Sequence, residues 1–389
     1  MNPLFSLSPH CGVSLALALS IGCGHSNDTP SQMPETSTGS TTADQTLDGS
    51  GGVATASAEP SSGEGSTSIA TSEGDADPDL ALWPAPYQAF IAEVGGSKFL
   101  DVGGASMHYI DTGETTGETY LLVHGIPTHT YLWRDVIPHL TDKRVIAVDL
   151  IGFGRSDRPD IAYSPAFQAE YLSTFAETLN LTDVHLVVHD LGGPVGMYWA
   201  SQAPQRIRSI TMFETLWSTF PGGVESMPKD FAQFLTALRT PGVGEGLAGE
   251  QDVFVNGIPG LTVSGVSRQD MDVYRYPWMS AADREAVFLT SGPRAFPFPE
   301  DAEAFAFFAE YQEFLMQTEI PKLVFDVSPG ALSAIQMTGK SGSLGYAQFA
   351  HQNFPNAELI ELDNSGHYVQ EDRAEALGQA IHSFVGDLQ

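Results

Sequence analysis

A chain of 389 residues can hold one large α/β domain with an insertion plus non-globular segments, and 17 Lys and Arg against 48 Asp and Glu give it a formal net charge of −31. That charge excludes nucleic acid and anionic lipid surfaces as partners, because their phosphates would be repelled. Its two cysteines, Cys11 and Cys23, both lie near the start, so the mature domain is expected to have no disulfide and to fold without regard to redox compartment.

In chain order, the first feature is an apolar run from Val13 to Ile21, too short to span a bilayer and suited to the h-region of a signal peptide. It runs into Ser20-Ile21-Gly22-Cys23, which is similar to a bacterial lipobox, where cleavage leaves a lipidated N-terminal cysteine. Residues 1–23 are therefore expected to be a signal peptide with Cys23 as the lipidation site. The protein is then expected in the bacterial cell envelope, facing periplasm or exterior, touching membrane only through its lipid. No Lys or Arg precedes the apolar run, which leaves open a chance apolar start on a cytosolic enzyme. Residues 24–82 are rich in Ser, Thr, Gly and acids, and no Lys or Arg occurs before Lys98. Such a segment cannot bury enough apolar area to order itself, so it is expected to be an extended, self-repelling tether.

Past Trp83, apolar runs alternate with helical-period segments, the pattern of a largely parallel sheet covered on both faces. The predicted strands are Met107–Asp111, Tyr120–Val123, Val145–Asp149, Leu186–His189, Ser209–Phe213, Lys322–Asp326 and Leu359–Leu362. Between Glu214 and about Ile320 the strand signal lapses, and Phe231–Leu238 and Ala302–Met316 read as helices. This gives a core in two parts, 83–214 and 321–389, with a helical cap over 215–320. The loop Gly152-Phe153-Gly154-Arg155-Ser156-Asp157 has the wrong spacing for a phosphate cradle and reads as a tight turn. No histidine spacing suggests a metal site.

The most informative stretch is Val187-Val188-His189-Asp190-Leu191-Gly192-Gly193, an apolar run that breaks into a small-residue turn with a carboxylate at its apex. A strand-to-helix elbow that usually presents a serine would here present Asp190. A carboxylate with a reference pKa near ~3.9 is already ionised and needs no base to become a nucleophile. Attack on an ester or amide would give an unstable anhydride. Attack on an sp³ carbon with a leaving group gives a stable alkyl ester that water must then cleave, which points to alkyl halides or epoxides as substrates.

Three further positions suit that chemistry. His367, in Asn364-Ser365-Gly366-His367, follows the last predicted strand and could sit over Asp190. Glu214 ends the strand after the elbow helix and could orient the imidazole. The backbone N–H groups of Ile126 and Leu191 could form an oxyanion hole. Asp190 as a helix N-cap, His367 as a surface histidine and Glu214 as a solvated carboxylate are the plain alternatives, and the joint pattern favours the site over them.

With these residues in view, the chain from about Tyr87 to Leu388 resembles the α/β-hydrolase superfamily and, within it, the haloalkane dehalogenases. The resemblance rests on His124-Gly125-Ile126-Pro127-Thr128-His129-Thr130-Tyr131-Leu132-Trp133-Arg134, on Asp149 to Asp157, on the elbow, on Met271-Asp272-Val273-Tyr274-Arg275-Tyr276-Pro277 and on Gly366 to Asp372. It implies an α/β-hydrolase fold, with a mostly parallel central sheet flanked by helices and a helical cap inserted after the sixth strand. It also implies a two-step reaction on a small apolar organic substrate and water, with no metal, organic cofactor or protein partner. One subfamily carries its acid at the position of Glu214, others after the seventh strand, where Asp326 is the reserve candidate.

The family holds the departing halide with a Trp after the nucleophile and commonly an Asn in the His-Gly-Asn-Pro loop, and this chain has Leu191 and Ile126 there. Neither side chain donates a hydrogen bond. Trp217, Tyr276 and Trp278 in the cap region, or His129 beside the loop, are candidate replacements. An epoxide hydrolase tolerates the same changes and uses cap tyrosines, for which Tyr274, Tyr276 and Tyr311 are available. A binder with little turnover is a third reading, and the complete Asp190, His367 and Glu214 set counts against it.

Overall fold

The computed structural model describes residues 79–388, apart from 114–116, 142, 293, 295 and 340–341. The expected signal peptide, Cys23 and the tether up to residue 78 lie outside the described residues. The tether reading extends three residues too far, since Leu80–Leu82 forms a short turn whose Leu80 packs on the core.

Eight strands make one sheet: β1 (Ser97–Asp101), β2 (Ser106–Asp111), β3 (Thr119–Val123), β4 (Arg144–Val148), β5 (Val184–Asp190), β6 (Ile207–Thr215), β7 (Lys322–Pro329) and β10 (Ala357–Ser365), in the order β1-β2-β4-β3-β5-β6-β7-β10. From β4 to β10 every pairing is parallel, while β1–β2 and β2–β4 are antiparallel. The central strands are apolar runs because both faces are covered, and β3 is buried along its whole length. The largely parallel sheet covered on both faces that the sequence pattern implies is thus the fold, and it agrees with the architecture implied by the resemblance.

Three of the described strands escaped the sequence reading. The strand β1 is an edge strand with a mixed, half-exposed face, so it carries little apolar signal. The small hairpin of β8 (Gln336–Gly339) and β9 (Gly342–Gly345) has Thr338 as its one β-branched residue and three glycines, so it carries little of the signal that marks strands.

The insertion after β6 is helical, with helices at Lys229–Arg239, Arg268–Arg275, Ala281–Ser291 and Ala302–Gln317. The last of these packs on the elbow helix Gly192–Gln202: the rings of Phe307 and Tyr198 stack at 4.4 Å and Gln202 Nε2 donates to Glu310 Oε1 at 2.8 Å. It therefore belongs with the helical layer of the core rather than with the cap, a division that helical periodicity alone does not reveal.

Strand order fixes where a ligand can sit. The chain leaves β3 to one side into β4 and returns to its other side as β5, so the carboxyl ends of β3 and β5 flank a topological switch point. Loops diverge there and leave a crevice.

Candidate active site

Asp190 ends β5 with φ of +49°, the left-handed region that costs a side-chain-bearing residue energy and projects its carboxylate off the sheet. Small residues make room for this turn. A Cβ on Gly192 would lie 2.1 Å from the backbone oxygen of Val123, and one on Gly125 would lie 2.2 Å from Asp190 Cβ. The turn is also tied to the next strand, since Thr215 Oγ1 donates to the Asp190 carbonyl at 2.6 Å.

The two oxygens of the Asp190 carboxylate have different surroundings. Oδ1 accepts the Ile126 N–H at 2.8 Å, and the Leu191 N–H also acts on the carboxylate. Oδ2 lies 3.4 Å from His367 Nε2, and the side chain is 23% exposed, more than the 8% of His367 or the fully buried Glu214. One oxygen is thus held by backbone donors while the other faces the imidazole and the space above it.

His367 Nδ1 donates to Glu214 Oε2 at 3.0 Å. Glu214 also has a positive φ, +45°. Its carboxylate accepts the backbone N–H groups of Ala331 and Leu332 on Oε2, at 2.8 and 2.9 Å, and that of Ser333 on Oε1 at 3.0 Å. The loop after β7, where a carboxylate is missing from the sequence, is therefore the cradle of the carboxylate that ends β6. Gly330, at φ of +57°, permits the close turn, because a Cβ there would sit 2.7 Å from Glu214 Oε1. Asp326, the reserve acid, instead accepts Gln348 Nε2 at 3.1 Å, so the structure brings Glu214 and not Asp326 to the histidine.

The electrostatics follow from two carboxylates flanking one buried imidazole. Burial opposes a charge on His367, but Asp190 and Glu214 outweigh it and push the imidazole up to about 9. Burial would likewise raise both carboxyls, yet the His367 contact leads the effects that hold each below its ordinary value. At neutral pH the resting site is an anion–imidazolium–anion row.

A second histidine completes the surroundings of the first. His189 Nε2 donates to the His367 carbonyl oxygen at 2.9 Å, and the two rings lie 4.7 Å apart. Burial and then the His367 charge push His189 down to about 3, so it stays neutral. It was visible beside Asp190 in the sequence, but a histidine in an apolar strand reads as core packing.

Trp278 Nε1 donates to the Pro127 carbonyl at 3.0 Å, so its N–H is engaged by the loop. Trp217 stacks on Tyr346 at 4.6 Å against the wall behind Glu214, and its buried indole N–H has no hydrogen-bond partner among the described residues. His129 is buried among Trp83, Tyr87 and Tyr131, and desolvation lowers it to about 4. Tyr276 lies against Trp83 at 4.7 Å. The hydroxyl of Tyr274 donates to Glu371 and that of Tyr311 to the Leu216 carbonyl at 3.1 Å. Ile126 and Leu191 present apolar, nearly buried side chains beside the carboxylate.

Comparison with known proteins bears on this arrangement. A family model for the alpha/beta hydrolase fold matches residues 120–244. A haloalkane dehalogenase of Mesorhizobium japonicum is 35% identical over 292 residues, covering 73% of this chain and 89% of the relative. One of Sphingobium indicum is 36% identical over 310 residues, covering 76% and 97%. Among solved structures, a haloalkane dehalogenase from Bradyrhizobium elkanii superposes with a TM-score of 0.68 at 28% identity, covering 75% of this chain and 98% of that one. One from Agrobacterium tumefaciens gives 0.66 at 27%, covering 75% and 97%.

Proposed function

This chain belongs to the haloalkane dehalogenase family of α/β hydrolases, and from that premise we propose that it cleaves carbon–halogen bonds through an alkyl ester of Asp190. The observation that carries the residue roles is the division of the Asp190 carboxylate, with one oxygen held by the Ile126 N–H and the other facing His367.

In the first step Asp190 Oδ2 attacks the halogen-bearing carbon in line, the carbon–halogen bond breaks and the halide leaves with the electron pair. Esterification removes one of the two anions that hold His367 protonated, so the imidazolium gives its proton to solvent water and becomes a base when one is needed. His367, steadied by Glu214, then takes a proton from water as its oxygen bonds to the Asp190 carboxyl carbon. The oxyanion that develops on Oδ1 already faces the Ile126 N–H, and the Leu191 N–H that acts on the same carboxyl group is the second donor of the proposed hole. Collapse breaks the bond from that carbon to Oδ2, the departing alkoxide takes the proton of the water-derived hydroxyl and leaves as the alcohol, and the carboxylate is restored with one oxygen from water beside a protonated His367.

The epoxide reading is not favoured. The hydroxyls of Tyr274 and Tyr311 are engaged away from Asp190, and the matched relatives are dehalogenases. Purified protein incubated with brominated alkanes and, in parallel, with a terminal epoxide is expected to release halide over many turnovers. Diol without halide would reverse this conclusion, and ligand-induced stabilisation without product would favour the binder instead.

For the segment outside the described residues we propose export and a lipid anchor at Cys23, supported by the apolar run and the lipobox-like Ser20-Ile21-Gly22-Cys23. The mature protein is expected to begin at an acylated Cys23, with Cys23→Ser moving it to the soluble fraction. A Cys23→Ser protein that stays membrane-bound would refute the anchor.

A further inference from the structure

The histidine loop and the cap meet at one carboxylate. Asp372, at the end of the short helix Val369–Asp372, accepts the Gly366 N–H on Oδ2 at 2.8 Å. Its other partners are in the cap: the Val263 N–H at 2.9 Å, and the Ser264 N–H and hydroxyl at 2.8 and 2.6 Å. Backbone contact reinforces this joint. Leu261 oxygen lies where a Cβ on Gly366 would be 2.2 Å away, and it accepts the Tyr368 N–H at 3.4 Å. Of the residues on either side of His367, Tyr368 is thus bonded to the segment 261–264 directly and Gly366 is linked to it through Asp372.

The preceding carboxylate holds the cap at a second point. Glu371 takes both guanidinium nitrogens of Arg134, at 2.6 and 2.8 Å, and the hydroxyl of Tyr274 from the cap helix Arg268–Arg275. Arg134 also reaches the Tyr274 oxygen at 3.2 Å. With Glu371 only 4% exposed, this pair is shielded from solvent and sets the cap helix against the core. Asp372 is therefore not a loose surface acid: it is seated beside a fixed post, with every described partner an N–H or O–H donor.

We propose that Asp372 is a positioning residue that locks the cap segment 261–264 to the loop carrying His367, so that the general base is in register only when that segment is seated. The inference rests on the reading of His367 as the base for ester hydrolysis. It predicts an effect on one half-reaction. Attack by Asp190 on the substrate does not use His367 and should survive loosening of this joint, whereas activation of water depends on the imidazole's placement.

The test compares Asp372→Asn and Asp372→Ala with wild type by rapid-mix halide release from a bromoalkane and by backbone hydrogen exchange. Asn keeps the volume but turns one acceptor into a donor that opposes the N–H groups. The expected result is an initial halide burst within about twofold of wild type, steady-state turnover lower by about tenfold or more, and faster exchange both at 261–264 and at 366–368. Unchanged turnover, an equal fall in burst and steady-state rates, or faster exchange in only one segment would overturn the proposal. If wild type itself releases no halide, the dehalogenase reading fails, and the exchange comparison still decides the joint.

Discussion

Asp190→Asn is expected to lower halide release by on the order of 10⁴-fold or more, because it removes the nucleophile while leaving volume and backbone intact. The elbow geometry stays, since the Ile126 N–H can still meet an amide oxygen, so loss of activity without loss of fold is the diagnostic pattern. The same variant tests the electrostatic account. His367 is raised to about 9 by two carboxylates, and burial alone would lower it. With one anion removed its imidazole should titrate at distinctly lower pH, as followed by NMR of the ring protons. Full activity would sink the nucleophile assignment, and an unmoved titration would sink the claim that esterification frees the base.

His367→Phe should separate the two steps. Asp190 remains a carboxylate, so one halide per site should be released in a burst, after which turnover slows by about 10³-fold for want of a base. Intact-mass measurement should then find the alkyl group of the substrate added to the protein, on the peptide that contains Asp190. The ester should persist because water must attack unaided although the Ile126 and Leu191 donors are still in place. Continued turnover at the wild-type rate, or a burst with no added mass, would refute the covalent route. Single turnover of wild type in ¹⁸O-labelled water offers a cross-check, since the label should enter Asp190 before it enters the alcohol.

Much of this site was legible because its parts are local. Asp190, Leu191 and the glycines after them are consecutive, and an apolar run followed by small residues specifies strand, elbow and helix without outside help. The histidine was found as the residue of a loop just after a strand, where parallel sheets place ligand contacts. The choice between Glu214 and Asp326 was not local. It depends on three N–H groups of the loop after β7, more than a hundred residues further along, turning onto the Glu214 carboxylate. The tryptophans and tyrosines offered as donors were equally undecidable by spacing. Whether an indole or phenol points at the site depends on which carbonyl or carboxylate it meets first, and Trp278 meets Pro127 while Tyr274 meets Glu371.

The sequence by itself determined the fold class and put forward Asp190, His367 and Glu214 as the proposed catalytic set, because these follow from hydrophobic period, strand ends and the chemistry of one carboxylate at an elbow. It also determined that Ile126 and Leu191 bring no side-chain donor to the site. The tertiary structure alone decided that the loop after β7 cradles Glu214 beside His367, that His189 lies against it as a neutral neighbour, that the helix Ala302–Gln317 belongs to the core layer, and that Asp372 joins cap to histidine loop. The reason is the same in each case. These features are satisfied hydrogen bonds or packed faces between segments distant in the chain, and a buried polar group's partner is set by the packing of the whole domain rather than by its neighbours in sequence.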